Sequence, residues 1–266
     1  MLPAERHAVI ARALERAPIV ATDELVRELH VSVETVRRDL VQLERAGSLR
    51  RVHGGAAAAG FTGFEPPFED RATLATAGKT AMGRAAAGLV MPGQTLVFDV
   101  GTSVLEVARA LPRDFVGTVA TCSLLVAAEL AGRRGVTVLV SGGRVRAGDL
   151  SLSNADAVAF FADLRPDVAF VGSGGVDADV GLTDFHREEV PTRRVIIANA
   201  ARSYVLADST KLGRTAPHRV CGLGDFDALM TDGPAPDRLR AAAERAGTAI
   251  ITAEADTAEL HPWPPT

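Results

Sequence analysis

Polar and arginine side chains between residues 32 and 46 recur with the period of a helix surface. The apolar positions of this stretch predict one buried stripe, formed by Val33, Val36, Leu40 and Leu43. Ser32 precedes the stripe as a favourable N-cap, and we expect the helix to run to about Ala46. At about 100° per residue, Arg38 lies almost opposite the stripe. Its polar neighbours on that outer face are Glu34, Thr35, Gln42 and Arg45.

The residues before this helix complete a helix-turn-helix pattern. Apolar spacing predicts a first helix over residues 2–17, ended by Pro18. Thr22 is a candidate N-cap for a short second helix. That helix is expected to bury Leu25, Val26 and Leu29. A tight turn then leads to Ser32, and in such a motif the last helix enters the major groove of DNA with its N-terminal residues against base edges.

A basic strand and a turn follow the helix. Gly47 ends the helix, and the string SLRRVHGG predicts a short strand and a Gly-Gly turn. Arg50, Arg51 and His53 would then lie as a wing over the phosphate backbone, where arginine fixes register without reading sequence. The alternative is a small solvated three-helix unit whose arginines only balance its acidic residues.

Beyond about residue 75, short apolar strands alternate with helices. The predicted strands are 95–100, 116–121, 136–140, 168–172, 204–208 and 248–252. Several of them end in polar or glycine-rich turns, which read DVGTS, TCS, SGGR, GSGGVD and DSTK. The alternation favours an α/β fold with a mostly parallel sheet. Ligands bind outside the carboxyl ends of such strands, so we expect these turns to converge on one cleft.

The chemistry of the turns favours a phosphorylated ligand. Gly101 permits a tight turn, and Thr102 and Ser103 place hydroxyls beside the free amides of a helix N-terminus. Asp99, at the end of its strand, could accept a hydrogen bond from a sugar hydroxyl. A second pair of hydroxyls over a helix start is Thr121 and Ser123.

Lysine is rare in this chain, with two residues against 27 arginines. Lys79 (in AGKTAMG) and Lys211 (in DSTKLG) both lie beside candidate site turns. A compact ammonium suits a phosphate or carbonyl oxygen as a point charge. Chance placement is the alternative for both lysines, and an ordinary tight turn is the alternative for Gly172–Gly175.

Other classes of site find little support in the sequence. No turn matches the dinucleotide fingerprint or a Walker string, and the six histidines lack metal-ligand spacing. We therefore expect no metal and no cofactor. Cys122 lies at a strand-to-helix turn that could stabilise a thiolate, although a structural role is the preferred interpretation. Two cysteines, a charged N-terminus and the lack of a long apolar run predict a cytoplasmic protein without a membrane segment.

The formal charge of −4 is unevenly distributed. Residues 1–56 carry nine Arg against eight Asp and Glu, a net of +1, and the other 210 residues carry 20 basic and 25 acidic side chains, a net of −5. A Gly-, Ala- and Pro-rich stretch near 54–70, with aromatics Phe61, Phe64 and Phe68, separates the two parts. The predicted organisation is a winged helix-turn-helix domain over 1–57, a linker over 58–74, a larger α/β domain over 75–255 and a tail over 256–266.

The string VSVETVRRDLVQLERAGSLRRVHGGA resembles the signature of the DeoR-type winged-helix regulators. The resemblance implies a helix-turn-helix over about Val20–Asp39. It makes Ser32, Thr35, Arg37 and Arg38 the DNA-facing positions. It makes Arg51, His53 and Gly54 the wing.

The resemblance continues through GKTAMGRAAA, DVGTS, TCSLLVAAEL, SGGR, GSGGVD, DSTKLG and a closing TD, in the order of DeoR-type sensor domains. Those domains resemble the ribose-5-phosphate isomerase fold and bind phosphorylated sugars. The implied effector site is lined by Asp99, Gly101, Thr102, Ser103, Asp177 and Lys211. Two positions depart from the pattern, since Cys122 stands where Asn is usual and Asn154 replaces a common Gly. These departures bear on which ligand binds rather than on whether a site exists.

We therefore expect a transcriptional repressor of carbohydrate metabolism genes, whose affinity for a double-stranded DNA operator changes when a phosphorylated sugar binds. A sugar-phosphate isomerase is the alternative, with Asp99, Asp177 or Glu188 as its base, but an isomerase has no use for the helix-turn-helix. A module that holds protein through the winged helix is a third alternative. One winged helix covers little DNA, so we expect a homo-oligomer, a dimer or tetramer, on repeated half-sites.

Overall fold

The computed structural model describes residues 1–17, 19–52, 54–58 and 65–253, without the side chain of residue 50. The chain divides into two compact units, Met1–Asp70 (the N-terminal unit) and Arg71–Thr266 (the C-terminal unit). Some sequence predictions fall outside the described residues: those for Pro18, the Arg50 side chain, His53, Phe61, Phe64 and the tail.

The N-terminal unit packs three helices against a small antiparallel sheet. Its elements are α1 (Pro3–Arg16), β1 (Ile19–Ala21), α2 (Thr22–Leu29), α3 (Val33–Arg45), β2 (Leu49–Val52) and β3 (Gly55–Ala58). β3 lies between β1 and β2 and pairs antiparallel with both. The strands are short, so the core depends on apolar helix residues that include Ile10, Leu25, Leu29, Val36 and Leu40.

The helix-turn-helix prediction is confirmed, with two local corrections. His30, in the left-handed conformation at φ 54°, ends α2, and Ser32 caps α3. Thr22 is the first residue of α2 and not its N-cap, which is Ala21. Val33 is 38% exposed because it lies in the first turn of α3, ahead of the part that packs on the core. The buried stripe therefore begins at Val36.

A buried ion pair joins α1 to α3. Arg6 Nε lies 2.6 Å from Asp39 Oδ2, and Arg6 Nη2 donates to Asp39 Oδ1 at 2.9 Å. Burial acts to raise the pKa of Asp39, but the hydrogen bond and charge of Arg6 hold that pKa below its ordinary value. Because Asp39 is fastened to the core side of α3, the neighbouring Arg37 and Arg38 are left on the exposed side.

A sheet of seven described parallel strands forms the centre of the C-terminal unit, in agreement with the predicted α/β fold. In spatial order the strands are β15 (Ala249–Thr252), β14 (Ala228–Thr231), β12 (Arg202–Leu206), β9 (Val168–Val171), β4 (Thr95–Phe98), β5 (Gly117–Thr121) and β6 (Val136–Val140). From β4 the chain adds β5 and β6 on one side and then crosses to β9 on the other. The strand order therefore reverses between β4 and β9, and the crevice at such a reversal is where open parallel sheets bind ligands.

Helices and two smaller sheets complete this unit. The helices are α4 (Phe68–Thr73), which begins before the division between the units, α5 (Thr76–Ala87), α6 (Thr102–Ala110), α7 (Leu124–Leu130), α8 (Ala155–Ala162), α9 (Val190–Asn199) and α10 (Asp237–Ala246). The smaller sheets are the hairpin of β7 (Arg144–Val145) with β8 (Leu152–Ser153), and the antiparallel set β10 (Gly175–Asp177), β11 (Gly181–Asp184) and β13 (His218–Cys221). Short 3-10 turns cover Ser209–Lys211 and Leu223–Asp225.

The predicted strands are all present, but β1, β3, β14 and the antiparallel strands of the C-terminal unit were not predicted. Of the predicted linker over 58–74, Ala58 ends β3 and residues 68–73 form α4. α5 and α6 pack closely, since a Cβ on Gly83 would lie 2.6 Å from the Glu106 carbonyl oxygen. Across the described ranges, no helix has the length and apolar character needed to cross a membrane.

Candidate functional site

The exposed face of α3 carries the predicted DNA-reading residues. Ser32 Oγ accepts the Thr35 N–H at 3.2 Å and lies 2.9 Å from the Thr35 hydroxyl, so the cap and the first turn are fixed together. Glu34, Arg37 and Arg38 are exposed, and neither arginine forms a hydrogen bond or ion pair with another described residue. Two guanidinium groups are thus presented to solvent on a helix that is rigidly capped at its N-terminus.

The predicted wing is a hairpin of β2 and β3. Gly54, at φ 73°, occupies the turn, and its carbonyl accepts the Thr22 N–H at 2.6 Å, which attaches the hairpin to the start of α2. Arg51 is exposed but engaged, because its Nε donates to Glu44 Oε2 at 2.8 Å and its backbone N–H donates to Glu44 Oε1 at 2.9 Å. The pair holds the Arg51 side chain against the end of α3.

Asp99 occupies the crevice between β4 and β9, but its carboxylate is already engaged. It accepts the Gly172 N–H at 2.9 Å, the Arg193 Nε–H at 2.6 Å and the Cys122 thiol at 3.4 Å. The side chain is 1% exposed. Gly172 contributes through close packing, since a Cβ there would lie 2.4 Å from the Val100 carbonyl oxygen. In this arrangement Asp99, at the end of β4, is bonded both to the backbone that follows β9 and to Arg193.

The start of α6 presents two buried hydroxyls with unused hydrogen-bonding capacity. Gly101 precedes the helix at φ 135°, a conformation that favours glycine. Thr102 and Ser103 are 5% and 3% exposed, and neither Oγ atom has a hydrogen-bond partner among the described residues. Buried polar atoms are normally satisfied. These two, beside the free amides of a helix N-terminus, have the geometry of an anion seat.

The second predicted hydroxyl pair is bound into the local backbone. Thr121 Oγ1 accepts the Ser123 N–H at 3.0 Å, and Ser123 Oγ accepts the Val126 N–H at 3.3 Å as the N-cap of α7. Both residues are buried. Their first role is to shape the turn that follows β5, next to the turn that follows β4.

The two lysines both lie near the carboxyl end of β12. Lys79 is 3% exposed; its Nζ donates to the Leu74 and Arg71 carbonyls and lies 3.9 Å from Asp208 Oδ2. Burial lowers the pKa of Lys79 to about 8, against the opposing charge of Asp208. Lys211 is half-buried and donates to the Ser173 carbonyl at 2.6 Å, which links it to the end of β9.

Asp177 ends β10, where the preceding Val176 forms a bridge with Leu212, next to Lys211. Its Oδ1 accepts the N–H groups of Asp179 at 2.9 Å and Val180 at 3.2 Å, and so closes the turn between β10 and β11. The other predicted effector residues meet at the carboxyl ends of β4, β5, β9 and β12.

The sequence prediction missed a buried charged network beneath the crevice. Arg193, on α9 and 4% exposed, pairs with Asp99, Asp184 and Glu189, with Nη2 lying 3.0 Å from Glu189 Oε2. Glu189 also lies 2.6 Å from Arg146, which pairs with Asp149. Carboxylates outnumber guanidinium groups in this network. A Glu-x-x-x-Arg spacing in HREEVPTRR was the available signal, because it places both side chains on one helix face.

Burial and excess negative charge alter two pKa values in this network. Burial, opposed by Arg146 and reinforced by Asp99, raises the pKa of Glu189 to about 7. Burial and the Asp99 carboxylate raise the pKa of Cys122 well above its ordinary value. Cys122 is buried, and its thiol donates to Asp99, a contact that the sequence did not predict.

Comparisons with known proteins match both units. Residues 6–60 match the DeoR-like helix-turn-helix domain, and residues 74–233 match the DeoR C-terminal sensor domain. The glycerol-3-phosphate regulon repressor of Escherichia coli (strain K12) is 32% identical over 236 residues, 89% of this chain and 93% of that protein. The HTH-type transcriptional regulator GlpR of Haloferax volcanii is 32% identical over 253 residues, 94% of this chain and 98% of that protein.

Among solved structures, ribose 5-phosphate isomerase A of Methanocaldococcus jannaschii is 16% identical, with a TM-score of 0.37 over 50% of this chain and 53% of that chain. A likeness of this degree adds nothing to the fold described above.

Proposed function

The chain belongs to the DeoR family, and from that membership we propose that it is a sequence-specific DNA-binding repressor of carbohydrate metabolism genes. Its N-terminal unit reads a double-stranded operator. Its C-terminal unit binds a small phosphorylated sugar, which changes the affinity for DNA. The relatives named above are a regulon repressor and a transcriptional regulator, which supports regulation over the isomerase alternative.

The capped helix α3 supports the DNA-binding half of the proposal. The exposed Arg37 and Arg38 are available to base edges and phosphates, and Ser32, Glu34 and Thr35 form the N-terminal turn that a recognition helix directs into the groove. Arg51 and Gly54 belong to the wing, where backbone contacts position the protein without reading sequence. Arg50 and His53 are proposed wing residues on the sequence pattern alone.

The observation that carries the effector half is the pair of buried, unpartnered hydroxyls of Thr102 and Ser103 at the start of α6. Phosphate oxygens would satisfy both hydroxyls together with the free amides of the helix. Lys211 and Lys79 would supply positive charge from the β12 side. Around this seat we also place Asp99, Gly101, Thr121, Ser123 and Asp177.

The effector acts by binding one conformational state better than another. A ten- to hundredfold change in operator affinity requires a coupling free energy of about 1.4–2.8 kcal/mol. Hydrogen bonds made by charged groups contribute about 1.5–3 kcal/mol each. One or two such bonds from the phosphate to the start of α6, made in only one of the two conformational states, would therefore supply the required coupling free energy.

One winged helix makes a small contact with DNA, so we propose that the protein binds repeated half-sites as a homo-oligomer. Both cysteines are buried and free, which suits a reducing cytoplasm.

DNA binding is tested by enriching an operator from random duplexes and measuring its dissociation constant by fluorescence anisotropy across a salt series. We expect tight, sequence-dependent binding that weakens steeply as salt rises, because phosphate contacts release counterions. Equal affinity for operator and unselected DNA, or DNA affinity insensitive to salt, would favour a protein-binding module instead.

Sensing is tested with the same operator and a panel of sugar phosphates that includes glycerol 3-phosphate, the compound in the relative's name. We expect at least one member to change the dissociation constant tenfold or more. Intact DNA binding without a response to any member contradicts the sensor half. Turnover of a pentose or hexose phosphate would revive the isomerase alternative.

A further inference from the structure

Strand β6 forms one edge of the central sheet and lacks a lysine or proline that would protect that edge. It pairs with β5 on its inner side, and within the described ranges no strand pairs with its outer side. Its sequence, Val-Thr-Val-Leu-Val, contains neither charge nor proline. Natural sheets normally protect such edges with lysine, proline, a bulge or a covering element, because an open edge is a template for another strand.

The backbone groups that face outward can be assigned from the ends of β6. Gly135 accepts the Gly117 N–H at 3.0 Å, and Ser141 donates its N–H to Thr121 at 3.0 Å, so the odd-numbered residues face β5. Because strand residues alternate, the even-numbered valines at 136, 138 and 140 direct their N–H and C=O groups outward. The Val136 N–H donates to the Arg133 carbonyl at 3.3 Å and is therefore already occupied.

Exposed apolar side chains line the same edge. Leu139 and Val140 are 37% and 39% exposed. Val116 is exposed beside the start of β6, since its Cγ2 lies 3.0 Å from where a Cβ on Gly135 would be. Val145, also exposed, follows in the hairpin after β6. An apolar edge flanked by apolar side chains is the pattern of a surface that is covered in the working assembly.

We infer that β6 pairs antiparallel with β6 of a second copy of this chain, about a two-fold axis at Val138. Val138 would exchange both hydrogen bonds with its counterpart, and the Val140 N–H would donate to the Val136 carbonyl of the other copy. An uncharged strand is complementary to itself in this register. The result is a closed, isologous dimer with one continuous sheet.

The absence of charge within β6 favours a second copy as the occupant. Arg133 and Arg144, on either side of β6, have acidic partners in Glu129 at 3.4 Å and Glu188 at 2.9 Å. Arg134 is exposed and has no such partner among the described residues, and in the proposed register it lies opposite the uncharged Gly142 of the other copy. A stable dimer buries about 800 Å² per partner. Because the five residues of β6 offer less area than this, the proposed interface also includes the flanking residues Val116 and Val145. The choice of a second copy draws in part on the proposed function, which requires two DNA-reading helices.

Sedimentation of the full chain, without DNA or effector, tests the surface independently of DNA binding and sensing. We expect a dimer, or an assembly built from dimers, for the wild type. Val140→Lys should raise the dimer dissociation constant at least tenfold, whereas Ala241→Lys should leave it unchanged, because Ala241 is exposed on α10, which packs against β15 at the opposite edge of the sheet. A monomeric wild type, or a Val140→Lys variant with the wild-type mass at every concentration, overturns the inference.

A cysteine pair tests the register with a milder substitution. Directly opposed residues of a hydrogen-bonded antiparallel pair have Cα atoms about 5.5 Å apart, which a disulfide can bridge. Val138→Cys should therefore form a covalent dimer under mild oxidation. Thr137→Cys, whose opposite residue is Leu139, should not. No covalent dimer at position 138, or equal yields at both positions, contradicts the two-fold axis at Val138.

Discussion

The two units hold their candidate site residues in opposite environments. On α3, Arg37 and Arg38 are exposed and have no partner among the described residues, whereas at the β4–β9 crevice Asp99, Thr102 and Ser103 are almost fully buried. A DNA surface can be met by side chains that already point to solvent, but a small anion has to be enclosed. Substitution of Arg37 or Arg38 should therefore alter DNA binding alone, and substitutions beneath the crevice should alter stability as well.

Removing the buried arginine gives the largest expected contrast. Arg193→Ala leaves Asp99, Asp184 and Glu189 without their shared partner and should lower the free energy of unfolding by about 3–5 kcal/mol. Arg51→Ala breaks an exposed pair with Glu44 and should cost less than about 1 kcal/mol. Denaturant unfolding of both variants measures the difference. Similar losses of unfolding free energy for the two variants would contradict the contrast between the buried site residues of the C-terminal unit and the exposed ones of the N-terminal unit.

The reverse contrast is expected for DNA. Arg38→Ala should weaken binding to the operator by about 1–3 kcal/mol and affect unselected DNA less, because its guanidinium is placed to read base edges. Arg51→Ala should weaken both by similar, smaller amounts. Anisotropy titrations with both duplexes give the two ratios. Equal losses on operator and unselected DNA for Arg38→Ala would refute its role in base reading.

The network under the crevice should make the stability of the C-terminal unit depend on pH. The pKa of Glu189 rises from 4.5 to about 7 on folding, so in that interval the folded chain keeps a proton that the unfolded chain has released. Stability should therefore fall by about 3 kcal/mol as pH rises through this window.

Glu189→Gln should remove that slope from the unfolding free energy measured across the same pH range. Glu188→Gln, an adjacent change in an exposed pair with Arg144, should retain it. An unchanged slope in Glu189→Gln would show that the proton is held elsewhere.

The smallest expected effect is at Asn154, which adopts φ 126° and ψ −166°, a conformation that favours glycine. Asn154→Gly should raise the free energy of unfolding by about 1 kcal/mol by relieving the backbone. The loss of its cap bond to the Asp156 N–H at 3.0 Å offsets only a few tenths, since glycine is a tolerable N-cap. Chemical denaturation would contradict this if the variant were less stable than the wild type.

Local pattern was sufficient to predict the N-terminal unit. Ser32 caps α3 and Val36 and Leu40 face the core because caps and helical periodicity act over a few residues. Thr22 was misplaced by one position, since propensity alone does not determine the first helical residue. In the C-terminal unit six of the seven described strands of the parallel sheet were predicted for the same reason, as continuous apolar runs, whereas β14 was missed.

The crevice was predicted in outline but not in its contacts. The sequence placed Asp99, Thr102 and Ser103 at one strand end. The structure adds that Asp99 is engaged, whereas the two hydroxyls have no hydrogen-bond partner among the described residues. Arg193 meets Asp99 across 94 positions of the chain, and no local pattern encodes that contact. For the same reason the carboxylate predicted to receive a sugar hydroxyl is found in a buried ion pair.

The central claim, that a phosphorylated sugar seated at the start of α6 controls DNA affinity, is tested most directly by operator titrations of the variant carrying both Thr102→Val and Ser103→Ala. Because neither hydroxyl has a partner among the residues that the structure describes, their removal should leave folding and effector-free DNA binding unchanged. We predict that the sugar phosphate active on the wild type has no effect on this variant. The same compound should remain fully active on Ser203→Ala, a control at a buried serine near the amino end of β12. A wild-type response in the double variant would contradict the account.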